Sequence, residues 1–316
     1  MTWPKVSVVI FANADPGGCV RILTDIERLE HQDLEFEVIM VLQGLTDKVA
    51  AVLDDYAFSF NLKFIEVPHD ANRAQGRNAG VKAATHEVIL FLESSLEISP
   101  GLLYRHLEGF KDERTAAVMG EIYLPAFVKK NRWFRFLDGN YRSTRRWAAR
   151  SGGESTPPLR YVNTANFSIR KSTFEAFGGY AEHIHHPEAE DIDLAYRVSA
   201  QSQGRIHYES EAVAYCMHHS LRTSLRLKYA FGKEGVPKLL EAYPQLYSVL
   251  PSRFLSIPGY PRPPLLQRTF MVILFSPPIY VLARVVRLIS PEFVAFRMMR
   301  YMLQVESIRG VKDALK

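Results

Sequence analysis

The residues best suited to chemistry crowd into one stretch, Gly178 to Arg197, GGYAEHIHHPEAEDIDLAYR. It holds five carboxylates (Glu182, Glu188, Glu190, Asp191 and Asp193) and three histidines (His183, His185 and His186). A carboxylate can take the proton of an attacking hydroxyl as a general base. The histidines invite a zinc reading, but no further His or Cys stands at tight-site spacing. Gly178-Gly179 and Pro187 mark the residues before Glu190 as loop. Ile192, Leu194, Ala195 and Val198 then predict a short helix. Acids at such a start also have a purely structural use, because free N–H groups and the helix dipole favour negative charge there. Asp193 falls on the opposite side of that helix from Asp191 and is expected to be structural.

The elements that must position this stretch are legible as alternating strands and helices. Val6–Phe11, Phe36–Leu42, Leu62–Val67 and Val88–Leu92 are short apolar or β-branched runs and predict strands. Val20, Leu23, Ile26 and Leu29 recur at helical spacing, Val49, Val52 and Leu53 suggest a second helix, and Gly76 to Ala84 a third. That alternation indicates right-handed βαβ units and an α/β fold with a parallel sheet. Ligands of such sheets bind beyond the carboxyl ends of the strands. Those ends are Ala12-Asn13, Gln43-Gly44, His69-Asp70 and Glu93-Ser94-Ser95. The chain has no GxGxxG after the first strand and no GxxxxGK[ST], so a dinucleotide fold or P-loop lacks its phosphate-binding turn.

In order along the chain stand an apolar first strand, Gln32, Gln43-Gly44, Gly76-Arg77-Asn78-Ala79-Gly80, and FLESSLEISPGLL from Phe91 to Leu103. Asn163-Thr-Ala-Asn166 with Arg170, Gly178-Gly179-Tyr180 and EDIDLAYR from Glu190 to Arg197 follow. The series resembles an inverting family 2 glycosyltransferase of the GT-A fold, over roughly Val6 to Tyr243. The resemblance implies a nucleotide-sugar donor, with Asp191 as the catalytic base and Glu190 as its positioning neighbour. It implies donor contacts at Ala12, Asn13, Gln43, Arg77, Asn78, Glu93 and Ser95. His218, or His219 beside it, would assist the diphosphate. A single base acting in direct displacement inverts the configuration, whereas a retaining glycosidase needs a second carboxylate as nucleophile.

Two family positions are altered. Leu42-Gln43 replaces the usual Asp pair at the end of the second strand, and an amide can still bond a nucleobase without charge. The metal-binding DxD is replaced by Glu93-Ser94-Ser95, which offers one carboxylate and a neutral hydroxyl. Mg2+ and Mn2+ prefer anionic oxygens, so the resemblance implies one of these cofactors while the residues also allow a metal-independent site. Positive charge can stand in for the ion, and Arg77 is suited to bidentate phosphate contact. The altered positions also allow a second reading, a weakened subunit acting as a scaffold in glycan assembly.

Lys129 to Arg150 sets eight cations against Asp138 alone, interleaved with five aromatic residues. Arg142, Arg145, Arg146 and Trp147 are expected to meet an acceptor or a membrane surface. Nucleic acid is the weaker reading of the same pattern. The composition shifts after Tyr243, and Pro251 to Pro264, with five prolines, reads as an extended linker. Thr269 to Ala283 is uncharged but broken by Pro277-Pro278, which suits an interfacial or re-entrant segment better than a span. Ser290 reads as an N-cap with Pro291 at N1 of a last helix that suits a membrane surface or a partner helix.

The sequence therefore predicts a GT-A domain over 1–245, a linker over 246–264 and a membrane-associating helical tail over 265–316. The expected activity is transfer of a sugar to a lipid-linked or surface-glycan acceptor, as in polysaccharide assembly. Two cysteines make no disulfide framework, and no secretory signal is visible at the start. The expected location is the cytoplasmic face of a membrane.

Overall fold

The computed structural model describes residues 3–12, 16–29, 33–44, 46–53, 56–140, 144–151, 156–201, 205–216 and 219–316. The chain forms two compact units. Unit 1 comprises Met1–Val128, Arg142–His183 and Glu190–Met217, and unit 2 comprises Lys129–Tyr141, Ile184–Ala189 and His218–Lys316. Residues 219–245 group with the tail in unit 2.

Unit 1 is built on eight strands: β1 Val6–Ala12, β2 Phe36–Gln43, β3 Asn61–Val67, β4 Val88–Glu93, β5 Glu97–Ile98, β6 Thr115–Tyr123, β7 Asn166–Arg170 and β8 Arg205–Tyr215. Their order across the sheet is β3-β2-β1-β4-β7-β6-β8-β5. The first four strands are parallel, as their alternation with helices predicts. β7 runs antiparallel to both β4 and β6, so the sheet is mixed. β1 is buried along its whole length, which explains its continuous apolar run. Ile10, Ile22 and Met40 lie in the core on one side of the sheet, and Phe91, Phe167 and Ile169 lie on the other. Full burial of each such side chain contributes about 1.5–3 kcal/mol.

The helices of this unit are α1 Pro16–Glu27, α2 Thr46–Leu53, α3 Arg73–Ala83 and α4 Leu102–Glu108. Unit 2 contributes α5 Arg132–Asn140, whereas α6 Thr144–Ala148 and α7 Lys171–Ala176 belong to unit 1. α8 spans Pro187–Gln201 and so begins three residues before the expected start. Pro187 is its first residue, where proline's fixed φ suits helix entry and its missing N–H costs no bond. Asp193 pairs with Arg197 one turn on, in the structural role expected of it.

Unit 2 is helical, with α9 Leu221–Ala230, α10 Val236–Ala242, α11 Leu265–Leu274, α12 Pro277–Ile289 and α13 Glu292–Ala314. A π turn, Phe231–Gly235, joins α9 to α10. It meets α13 at backbone distance, since a Cβ on Gly232 would fall 1.9 Å from the Ser307 carbonyl oxygen.

Three expectations for the tail are corrected. The proline-rich stretch is not extended but turned and packed: Tyr247 stacks on Tyr260 with ring centroids 4.6 Å apart. Its hydroxyl also donates to the Leu255 carbonyl at 2.7 Å. α13 is not a surface helix, because Met299, Met302, Leu303, Val305 and Ile308 are buried in the core of unit 2. Pro291 rather than Ser290 is its cap residue, and no side chain caps it.

Candidate active site

α3 is the element that brings charge to the sheet. Asn72 and Gln75 close a capping box at its start, which fixes the turn after β3. Arg73 and Arg77 therefore project one turn apart on the same helix face. Both guanidinium groups reach the same two carboxylates. Arg73 approaches Glu93 at 2.8 Å and Glu190 at 3.1 Å. Arg77 approaches Glu93 at 3.5 Å, Glu190 at 3.2 Å and Asp191 at 3.8 Å. Glu93 ends β4, beside Phe11 of β1, so the cluster lies at the carboxyl ends of the parallel strands.

Thr164 ties the cluster together. Arg77 Nη1 donates to Thr164 Oγ1 at 2.9 Å, and Thr164 Oγ1 donates to Asp191 Oδ1. Arg77 also lies over the ring of Tyr180, 5.1 Å from its centroid. The network fixes one oxygen of Asp191. The Asp191 side chain keeps 12 % of its surface exposed, against 1 % for Arg77 and for Glu190.

Burial pushes the pKa of both Glu190 and Asp191 upward, against the pull of Arg73 and Arg77, and the like charge of neighbouring carboxylates adds to the rise. A raised carboxyl is a stronger base than an ordinary one. Burial by itself would lower the Arg73 pKa, but Glu93 and Glu190 drive it up instead. Three carboxylates face two guanidiniums here, so the described cluster carries one excess negative charge when all are ionised.

The structure brings Glu190, Asp191, Arg77 and Glu93 together. It gives several expected donor residues other partners. Arg77 lies beneath the carboxylates and not open to a phosphate. Arg73, absent from the expected set, is the more exposed of the two arginines, with 24 % of its side chain in solvent against 1 % for Arg77. Asn78 donates to the Tyr180 carbonyl and to Glu182 Oε1, both at 2.9 Å, and accepts from the Tyr180 N–H. It thus clamps the Gly178-Gly179 turn, where Gly179 holds φ +72° and a Cβ would meet Asn78 at 2.7 Å. Gln43 donates at 2.7 Å to the carbonyls of His69 and Ala71, which ties down the loop before α3. Ala12 is buried at the end of β1. Ser95 is exposed, with its hydroxyl 3.8 Å from the Cys216 sulfur. Asn13, Gln32, His218 and Arg142 lie outside the described residues. His219 is exposed, and its carbonyl accepts from Trp133 Nε1 at 2.9 Å.

Fit to a divalent cation is poor among the described residues. Glu93 is the one carboxylate at the expected place, and both guanidiniums already approach its Oε1. Ser95 adds a neutral hydroxyl. Among the described residues no group of three His, Cys, Asp or Glu side chains is placed to hold a metal ion.

The basic stretch is divided between the two units. In unit 1, Arg145 stacks over Tyr123 at 4.3 Å and lies 3.7 Å from Glu121. Arg146 is exposed, and Trp147 packs partly buried against the core. In unit 2, Arg135 pairs with Glu292 at 2.6 Å and Lys129 with Asp138 at 3.0 Å.

The mixed, mostly parallel sheet flanked by helices is GT-A-like, on its likeness to solved structures. The chain superposes on the mannosyltransferase PcManGT of Pyrobaculum calidifontis, solved with GDP-Man and Mn2+, at a TM-score of 0.65 and 12 % identity, covering 98 % of this chain and 88 % of that one. It superposes on S. aureus TarS at 0.53 and 15 % identity, covering 98 % of this chain and 55 % of that one. At such identities the likeness establishes the fold alone.

The description "Glycosyl transferase family 2" matches residues 8–177, and the chain belongs to that family. The pre-mycofactocin glycosyltransferase of Mycobacterium tuberculosis is 28 % identical over 243 residues, covering 73 % of this chain and 47 % of that protein. The probable glycosyltransferase YdaM of Bacillus subtilis is 23 % identical over 62 % of this chain and 46 % of its own length. The chain spans less than half the length of these two relatives.

Proposed function

We propose that this chain moves a sugar from a nucleoside-diphosphate donor onto an acceptor hydroxyl with inversion, using Asp191 as the general base. The observation that carries this reading is Asp191 itself. It is a nearly buried carboxylate with one oxygen tied by Thr164, a raised pKa and a small exposed face at the strand ends. The acceptor oxygen bonds to the anomeric carbon as the bond from that carbon to the diphosphate oxygen breaks. The acceptor proton passes to Asp191, and the nucleoside diphosphate leaves with the bonding pair. Arg73, the more exposed of the two arginines, steadies the leaving diphosphate, while Arg77 and Glu190 hold Asp191 and Arg73 in place.

The donor class is supported by the solved neighbours, since TarS has been solved with UDP and with UDP-GlcNAc, and PcManGT with GDP-Man. A lipid-linked or surface-glycan acceptor is the class we favour. A relative named poly-beta-1,6-N-acetyl-D-glucosamine synthase from Staphylococcus epidermidis, 26 % identical over 27 % of this chain, supports it. Work at the cytoplasmic face of a membrane agrees with a sequence that has two cysteines and so no disulfide framework.

The test is thermal shift with UDP-, GDP- and dTDP-sugars, with and without Mn2+, followed by donor turnover. A donor that binds the native state raises the melting temperature. Asp191→Asn is expected to keep that shift and lose turnover by about 10²- to 10⁴-fold. Full turnover in Asp191→Asn would remove the base assignment. No shift with any donor would instead favour a scaffold in glycan assembly.

A further inference from the structure

Unit 2 carries a large apolar surface that the transfer chemistry does not use. α11 has no buried residue, although seven of its ten side chains are apolar. Leu265, Leu266, Phe270, Val272 and Ile273 are all more than half exposed. On α12 only Ala283 is buried, and Val281, Leu282, Leu288 and Ile289 lie more than half in solvent. Large apolar side chains left exposed on two consecutive helices mark an interaction site.

What covers it follows from charge and length. Between Glu241 and Glu292 the chain has five arginines (Arg253, Arg262, Arg268, Arg284 and Arg287) and no carboxylate. Arg262, Arg268 and Arg284 are exposed. An apolar face flanked by cations matches a bilayer whose headgroups are anionic. A second copy of the chain matches it poorly, because a two-fold contact would set the same arginines against each other. Among the described residues no single helix is long and apolar enough to cross a membrane, and α11 and α12 reach that length and composition only as a pair bent by 54° at their break. α11 spans about 15 Å and α12 about 20 Å, each short of the roughly 30 Å hydrocarbon core. The side chains therefore suit insertion to the depth of the headgroup boundary.

We propose that the exposed faces of α11 and α12 seat this protein shallowly on an anionic lipid bilayer. Leu266, Phe270, Leu288 and Ile289 enter the acyl boundary, and Arg268 and Arg284 meet the headgroups. This inference stands apart from the choice of Asp191 as base.

Flotation of the full chain with vesicles tests it. Vesicles of phosphatidylcholine with 30 % phosphatidylglycerol are expected to recover at least about tenfold more protein than phosphatidylcholine alone, with a marked loss at high salt. The double variant Leu266→Asp with Phe270→Asp is expected to lose flotation. Arg268→Gln with Arg284→Gln is expected to lower affinity by about tenfold or more. All four residues are exposed, so the melting temperature checks that each variant still folds. Phe270→Trp should shift its fluorescence to the blue on adding the anionic vesicles. Asp191→Asn should float like the parent, which separates this inference from the catalytic reading. Equal recovery on neutral vesicles, or flotation unaffected by the two aspartates, overturns the proposal. So does a lipid-free dimer that Leu266→Asp dissociates, since a second copy would then be the occupant.

Discussion

Arg77 is 1 % exposed in unit 1, whereas Leu266 is 84 % exposed in unit 2. A charged side chain has been taken out of water in one place, and a large apolar one has been left in water in the other. Each arrangement costs free energy when taken alone. Arg77 is retained because Thr164, Glu190 and the Tyr180 ring satisfy it, and because its burial holds Asp191 at the strand ends. No buried residue of α11 compensates in the same way within unit 2. The difference teaches that the first departure completes itself inside the unit, and the second calls for something outside the chain.

The largest expected effect comes from breaking the first region. Arg77→Met leaves Glu190 and Asp191 short of their buried counter-charge. Stability is expected to fall by about 3–5 kcal/mol, read from denaturant unfolding. Thr164→Val should cost about 1–3 kcal/mol, because it strands the Arg77 donor that Thr164 accepts. Turnover should fall more than donor affinity, and Thr164→Ser should restore both. Equal losses in turnover and affinity would make Thr164 a packing residue and not a holder of Asp191.

The pH dependence sharpens the same region. The Glu190 carboxyl is pushed from 4.5 up to about 7, chiefly by burial. Between those values the folded chain binds more protons than the unfolded one. The contribution is therefore fully present below pH 4.5 and is lost as pH rises through about 7. Glu190→Gln should flatten that part of the stability curve, measured as melting temperature against pH in both proteins. A parallel pair of curves would show that Glu190 does not titrate there. The smallest effect belongs to the second region: Leu266→Asp should change stability by no more than about 0.5 kcal/mol. A larger loss would mean that the face is already covered within the protein.

Most of unit 1 was legible because its local signals agree. β1 to β4 and α3 follow from apolar runs and helical spacing, and the break before Pro277 follows from proline chemistry. Asp191 and Glu190 were legible as members of an ordered series of motifs. Arg73 and Thr164 were missed for different reasons. Arg73 stands one turn before Arg77, a spacing that could have drawn attention to it. Thr164 lies inside the Asn163–Asn166 motif, but a lone threonine has no spacing that reveals which carboxylate it bonds. In the tail, composition misled: prolines suggested an extended linker, where Tyr247 and Tyr260 pack a turned loop. The arginines and aromatics of α13 suggested a surface where the helix is core.

The sequence by itself determined which segments become strands and helices, and which residue types are present to do acid–base work. Periodicity and backbone restriction act within a few residues, so they can be read locally. Only the tertiary structure decided that Arg77 is buried against Glu190, 113 residues away, and that Thr164, 87 residues away, ties it to Asp191. It also decided that α11 buries none of its apolar side chains fully. Those outcomes depend on strand order and on which helix face finds a neighbour, and no local pattern of residues records either.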